Sequence, residues 1–198
     1  MELEVPQPTI TMVENVPTPS NSDKVSVVQM DITKLRSDCI VNAAKCTLSG
    51  GGAVDGAIHD AAGPELVDYC VQTYGKCDVG QAVITPSFKL SEHSVKYIIH
   101  TVGPQDGDST KLANCYRNSL NFLINHQDIR SIAFPCIATL NYRFKKKPAA
   151  HIALNTVKDW LKTNNTHVDK IIFCCYEDED LEIYNELVTD YFPDYLPN

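Results

Sequence analysis

The run Asn42 to Gly63, NAAKCTLSGGGAVDGAIHDAAG, decides how this chain is read. It follows an apolar segment, Cys39-Ile40-Val41, and leads into helical spacing from Ala53 to Ala62, giving the order strand, glycine loop, helix. The consecutive glycines Gly50, Gly51 and Gly52 let backbone approach a ligand and reach positive φ without a Cβ clash. The first amides of the helix have no intrahelical acceptor, and its dipole adds positive potential there, so the loop suits a pyrophosphate. The same composition also describes a plain strand-to-helix connection. A P-loop needs Gly-Lys-Ser/Thr where this chain has Gly52-Ala53-Val54. A dinucleotide fingerprint needs G-x-G-x-x-G, whereas Gly50, Gly52 and Gly56 give G-x-G-x-x-x-G.

Working outward, the 198 residues suffice for one well-buried domain. A net charge of −8 argues against nucleic-acid binding by the surface as a whole. No apolar run reaches transmembrane length, and Met1 to Glu4 lacks the order of a signal peptide. The expectation is a soluble intracellular protein, cytoplasmic or nuclear, with no membrane partner. The eight cysteines form no C-x-x-C pair and several sit inside apolar runs, which points to free buried thiols and no metal site.

Residues 1 to 23, with Pro6, Pro8, Pro17 and Pro19 among Ser, Thr and Asn, read as a disordered lead, residues 24 to 193 as the domain, and 194 to 198 as a tail. Strands are expected at Val25 to Met30, at Gln81 to Thr85, at Val95 to His100, at Ser131 to Phe134 and at Lys170 to Tyr176. Helices are expected at Glu65 to Tyr74, Lys111 to Asn125, Ala149 to Thr163 and Asp180 to Phe192. In the helix from Ala53, the spacing turns Val54, Ile58 and Ala61 to the core and places Asp55 and His59 together on another face. Alternating strands and helices give an α/β layered sheet with helices on both faces. A ligand in such a sheet lies at the strand ends, so the loop after Phe134 is the second to inspect.

The residues Ile40-Val41-Asn42-Ala43-Ala44, Gly50-Gly51-Gly52, Val54-Asp55-Gly56 and Ile58-His59 through Ala61-Ala62-Gly63 resemble the signature of the macro domain, the ADP-ribose-binding module, and its MacroD-type hydrolase branch in particular. The similarity continues at Ile99-His100-Thr101-Val102-Gly103-Pro104, at Ala133-Phe134-Pro135-Cys136-Ile137 and at Pro148-Ala149-Ala150. It implies a three-layer α/β/α fold with a mixed sheet of about six or seven strands.

The resemblance also implies roles. Asp55 orients water against the anomeric carbon of the distal ribose, and Asn42 supports the loop and that ribose. The amides of Gly50, Gly51, Gly52, Ala53 and Val54 hold pyrophosphate. Asp31 accepts from the adenine amino group with Ile32 as backbone donor, although local chemistry alone makes Asp31 a turn or cap acid. Tyr176 stacks on adenine or, read locally, packs in the core. No metal or other cofactor is implied.

Two departures fall on the phosphate and distal-ribose side. Lys45 stands where the family has a second asparagine that binds ribose hydroxyls, and a lysine has donors but no acceptor. The second loop reads Thr139, Leu140, Asn141, Tyr142, Arg143, Phe144, Lys145, without the family's two glycines at Leu140 and Arg143. Tyr142 and Phe144 keep the aromatic places. The basic cluster Arg143, Lys145, Lys146 and Lys147 offers side-chain charge to a pyrophosphate or stands as a solvated loop. The expected function is recognition of ADP-ribose, free or on mono-ADP-ribosylated protein, with hydrolysis of protein mono-ADP-ribose or O-acetyl-ADP-ribose esters as the family activity. The alternatives are a non-catalytic ADP-ribose reader and an RNA or protein interaction domain using residues 143 to 147.

Overall fold

The computed structural model describes residues 21 to 197, so the lead expected over residues 1 to 20 lies outside the described residues. Six strands form one sheet: β1 (Val25–Gln29), β2 (Cys39–Ala43), β3 (Ala82–Pro86), β4 (Tyr97–Thr101), β5 (Ser131–Phe134) and β6 (Lys170–Cys175). Their order across the sheet is β1-β6-β5-β2-β4-β3. All neighbours are parallel except β3, which runs antiparallel to β4. Parallel strands need crossover connections, and α1 (Ala53–Ala62), α2 (Glu65–Thr73), α3 (Ser109–Asn125), α4 (Lys146–Asn164) and α5 (Asp178–Tyr191) supply their helices.

The period-two alternation of the strands divides the core in two. Cys39, Val41, Ile99, Ile132, Phe134, Ile171 and Phe173 face α3, α4 and α5. Ile40, Ile98, Ala133, Ile172 and Cys174, one residue out of phase, face α1 and α2. The molecule is therefore the expected three-layer α/β/α arrangement around a mixed sheet.

Several boundaries differ from expectation for identifiable reasons. α4 begins at Lys146, not Ala149, because Pro148 sits in the first turn, where its missing N–H costs no helical bond. Lys146 and Lys147 therefore belong to a helix. Ordered backbone starts before Lys24: Asn21–Lys24 is a 3-10 turn with Ser22 buried. At the other end Tyr195 is buried, and its hydroxyl oxygen accepts from the Val27 amide at 3.2 Å, which satisfies an edge-strand donor.

Candidate functional site

β2 and β4 end side by side, with Asn42 in register with His100 and Ala43 with Thr101. The chain then rises through the glycine loop into α1, capped by Gly52 in extended backbone. The loop is held tightly against that helix: a Cβ on Gly56 would overlap the Gly51 carbonyl oxygen. Ala53, the first residue of α1, carries φ of 53°, a left-handed conformation disfavoured by its Cβ.

The face α1 presents inward differs from the one its apolar spacing predicts. Asp55, Ile58 and Ala62 are buried, whereas Val54 and Ala61 are only partly so. Asp55 thus sits on the inner face with 3 % of its surface exposed. A carboxylate there requires a donor, and Asn42 Nδ2 donates to Asp55 Oδ1 at 2.7 Å. The same nitrogen lies 3.0 Å from His100 Nδ1. His59 Nε2 stands 3.5 Å from Asp55 Oδ1 without a hydrogen bond. Burial pushes the His59 ring below the usual imidazole range, with the charges of Asp55 and Asp60 opposing. Burial, with repulsion from His59, pushes His100 down to about 3.

Asn42 Oδ1 and Asp55 Oδ2 are buried and unpartnered. An unpartnered acceptor is costly in a protein interior, and Asp55 Oδ2 marks a place for a hydroxyl-bearing ligand or water. Lys45 reaches over the same spot. A Cβ on Gly51 would fall 2.7 Å from its Nζ and 3.2 Å from Asp55 Oδ2, yet no ion pair joins the two side chains.

Two cavities adjoin here. The first, about 310 Å³, is bordered by Lys45, Gly52, Ala53, Val54, Asp55 and Tyr142, among others. The second, about 290 Å³, lies beyond Leu140 and is bordered by Asp31, Ile32, Tyr176 and Asp180, among others. Ala53, Val54, Cys136 and Leu140 border both, so the half-exposed Leu140 side chain stands at the division of one continuous cleft. In the second cavity Asp31 Oδ1 caps the short turn from Ile32 by accepting from the Thr33 amide and hydroxyl, which leaves Oδ2 for a ligand. Tyr176 is 74 % exposed, which excludes the core-packing reading. Asp180 is buried at the start of α5, and burial raises its carboxyl above the usual range while Lys146 opposes that shift.

The loop between β5 and α4 keeps the turn expected of a glycine-bearing segment. Arg143 takes φ of 54° and Ala138 takes 67°. The Phe144 amide donates to the Ala138 carbonyl at 3.0 Å, closing the turn. The non-glycine residues have therefore not unfolded the loop; they hold it under strain.

Some predicted site residues stand elsewhere. Phe144 is buried in the core on the α4 side and does not border the cleft, because its ring fills the space under the turn. Thr139 turns its hydroxyl to the Cys136 carbonyl at 3.0 Å, Arg143 points outside both cavities, and Gly50 and Gly51 back the loop while Gly52, Ala53 and Val54 border the cleft. Asn42 lies beneath the cleft, behind Asp55. Two of the four basic residues of the cluster are paired with acids: Lys146 meets Glu177, Glu179 and Asp180, and Lys147 meets Glu186. In the sequence Gly103 stands only as one position of the Ile99 to Pro104 motif. A Cβ there would fall 2.9 Å from the Ala138 Cβ, so this glycine lets the ends of β4 and β5 converge. His100, Thr85 and Asp180 escaped the sequence reading because their partners are distant in the chain.

Among the described residues, no group of three or more His, Cys, Asp or Glu side chains is arranged to hold a metal ion, and no helix is long and apolar enough to cross a membrane. The eight cysteines are free. Cys136, which borders both cavities, has its thiol raised well above the usual range by the Cys175 hydrogen bond and by burial, so it is no ready nucleophile.

Comparison with known proteins agrees with this geometry. The macro domain model matches residues 41–153. The chain is 48% identical over 179 residues to the human ADP-ribose glycohydrolase MACROD2, covering 87% of this chain and 41% of that protein. It thus spans about two-fifths of that relative. A macro domain-containing protein of Ralstonia nicotianae is 47% identical over 168 residues, covering 82% of this chain and 93% of that one. Among solved structures, the Trypanosoma brucei macrodomain in complex with ADP-ribose superposes with a TM-score of 0.81 at 33% identity, covering 87% of this chain and 72% of that chain.

Proposed function

The chain belongs to the macro-domain family, and from that premise we propose that it recognises ADP-ribose, free or attached to protein, and hydrolyses the bond joining the distal ribose to its acceptor. The observation that carries this reading is Asp55 Oδ2, a buried and unpartnered acceptor on a residue that borders the cleft beside the first turn of a helix, with Asn42 holding the other carboxylate oxygen from beneath. ADP-ribose supplies what each part lacks. Its pyrophosphate would lie against the amides of Gly52, Ala53 and Val54. Its adenine would extend past Leu140 toward Tyr176 and the free oxygen of Asp31. Its distal ribose would lie beside Lys45 and Asp55, which border the first cavity.

In that pose Asp55 Oδ2 would accept a hydrogen from water and aim it at the anomeric carbon. The water oxygen bonds to that carbon, the carbon–acceptor bond breaks, and the acceptor leaves with its electron pair and a proton derived from water. Mono-ADP-ribosylated proteins are the substrate class for this step; with O-acetyl-ADP-ribose the water would instead add to the acyl carbon, the acyl carbon–oxygen bond would break, and acetate and the ribose hydroxyl would leave. An intracellular location is part of the reading.

Calorimetric titration with ADP-ribose, with AMP as the control for the adenosine end, tests the reading. Binding of ADP-ribose at least about tenfold tighter than AMP is expected, because the pyrophosphate and distal ribose add charge-assisted hydrogen bonds. Equal binding, or none, would sink it. A second reading, a reader that binds without turnover, is favoured by Leu140 at the narrowing of the cleft and by Lys45 over Asp55. Tight binding with no release of ADP-ribose from a modified protein would select it. The RNA-binding alternative loses support because Lys146 and Lys147 are committed to acids of α5 or just before it.

A further inference from the structure

We propose that His100 is a positioning residue: from inside the sheet it holds the Asn42 amide in the orientation that sends an N–H to Asp55, the carboxylate that borders the cleft. Asn42 on β2 and His100 on β4 are cross-strand partners, both fully buried, and both lie on the sheet face covered by α1 and α2. Asn42 Nδ2 carries two hydrogens and has two acceptors in reach, Asp55 Oδ1 at 2.7 Å and His100 Nδ1 at 3.0 Å. Turning the amide over would set its oxygen against a carboxylate, acceptor against acceptor. Asp55 therefore decides which end of the amide faces it.

With the amide so placed, His100 Nδ1 must accept, and the ring hydrogen resides on Nε2. That nitrogen meets the Thr85 hydroxyl oxygen at 3.1 Å, with the Cys70 thiol at 3.8 Å. The Thr85 hydroxyl in turn donates to the Pro86 carbonyl at 3.0 Å. The relay ends on an acceptor at each end, a carboxylate and a backbone carbonyl. With His100 Nδ1 accepting and Nε2 donating, every member between them is satisfied, the Thr85 hydroxyl having the Ile98 carbonyl at 3.5 Å as a second acceptor. His100, Thr85 and Asn42 border neither cavity, so their influence on a ligand passes through Asp55, which Asn42 holds. A hydrophobic side chain at position 100 would leave one amide hydrogen unpaired, and Asn42 would be free to swing away from Asp55.

The catalytic consequence rests on the ADP-ribose reading, whereas the lock itself does not, and the two are measured separately. Long-range nitrogen–proton NMR spectra of the full chain, labelled at histidine and assigned with His100→Asn, should show His100 as the Nε2–H tautomer, unchanged between roughly pH 5 and 8. An Nδ1–H ring, or one that titrates in that range, overturns the lock whatever the protein binds. For function, His100→Leu and Thr85→Val should lower the turnover number on a mono-ADP-ribosylated protein by about tenfold while KM stays within about threefold, as for a misaligned reacting group. His100→Asn, whose amide oxygen replaces Nδ1, and Thr85→Ser should restore most of the loss, which a packing defect would not allow. Turnover by folded His100→Leu at the level of the unsubstituted protein overturns the positioning role. Failure of the unsubstituted protein to bind ADP-ribose would instead refute the functional reading, and the tautomer spectrum would still decide the lock.

Discussion

Ala53, Lys45 and Gly56 show how much of the site turns on single side chains. Ala53 begins α1 at φ of 53°, where a Cβ is a liability and a glycine is not. Ala53→Gly is expected to stabilise the fold by about 0.5–1 kcal/mol in denaturant titration, since the relieved strain exceeds the added chain entropy. Lys45 lies beside Asp55 Oδ2 but does not pair with it, so its ammonium competes with water or a ribose hydroxyl for that oxygen. Lys45→Asn, which restores an acceptor as well as a donor, is expected to raise hydrolysis of mono-ADP-ribosylated protein by about tenfold, measured as ADP-ribose released. Unchanged release would place the limit at Leu140. Gly56 allows α1 to touch the glycine loop, a role that motif spacing does not reveal because it depends on the Gly51 carbonyl arriving from outside the helix.

Among the elements, the junction of α4 and α5 departs most from its sequence reading. Two lysines in the first turn of α4 oppose its dipole, and their stability comes from acids across the gap. Lys146 Nζ is 2.8 Å from Glu179 and 3.5 Å from the buried Asp180. Lys146→Met would leave Asp180 buried without its cation and is expected to cost about 1–3 kcal/mol in denaturant unfolding. Lys147→Met, whose pair with Glu186 is exposed on both sides, is expected to cost less than about 1 kcal/mol. The contrast between the two variants tests whether burial, not charge number, sets the value of this cluster. The lysine run was legible as a basic segment, but its partners lie 31 to 39 residues away and on another helix, so its neutralisation was not.

At the scale of the whole molecule, the buried imidazoles couple stability to pH. His100 is held near 3 and His59 below its ordinary value, both chiefly by burial. The unfolded chain, with ordinary histidines, binds more protons than the native one as pH falls below about 6.5, so native stability decreases with acid in that window. The slope from His100 approaches about 1.4 kcal/mol per pH unit between roughly pH 6 and 4. Asp180, raised by burial, works in the opposite direction because its protonation favours the native state. Denaturant titrations across that range should show the loss, and His100→Asn should flatten it.

The order of strands and helices, the two-faced core and the strand–glycine–helix passage were determined by the sequence alone, because alternation, helical spacing and glycine act over a few neighbouring residues. So was the likeness to a macro domain, carried by contiguous motifs. Only the tertiary structure decided that Asp55 turns inward with Ile58 and Ala62, that Phe144 belongs to the core, and that Arg143 takes a glycine-like conformation. It alone joined Asn42 to Asp55 and to His100, 13 and 58 residues away. The reason is physical: a local pattern specifies which backbone a segment prefers, whereas the partner of a buried polar group is set by which strands align and which helix covers them.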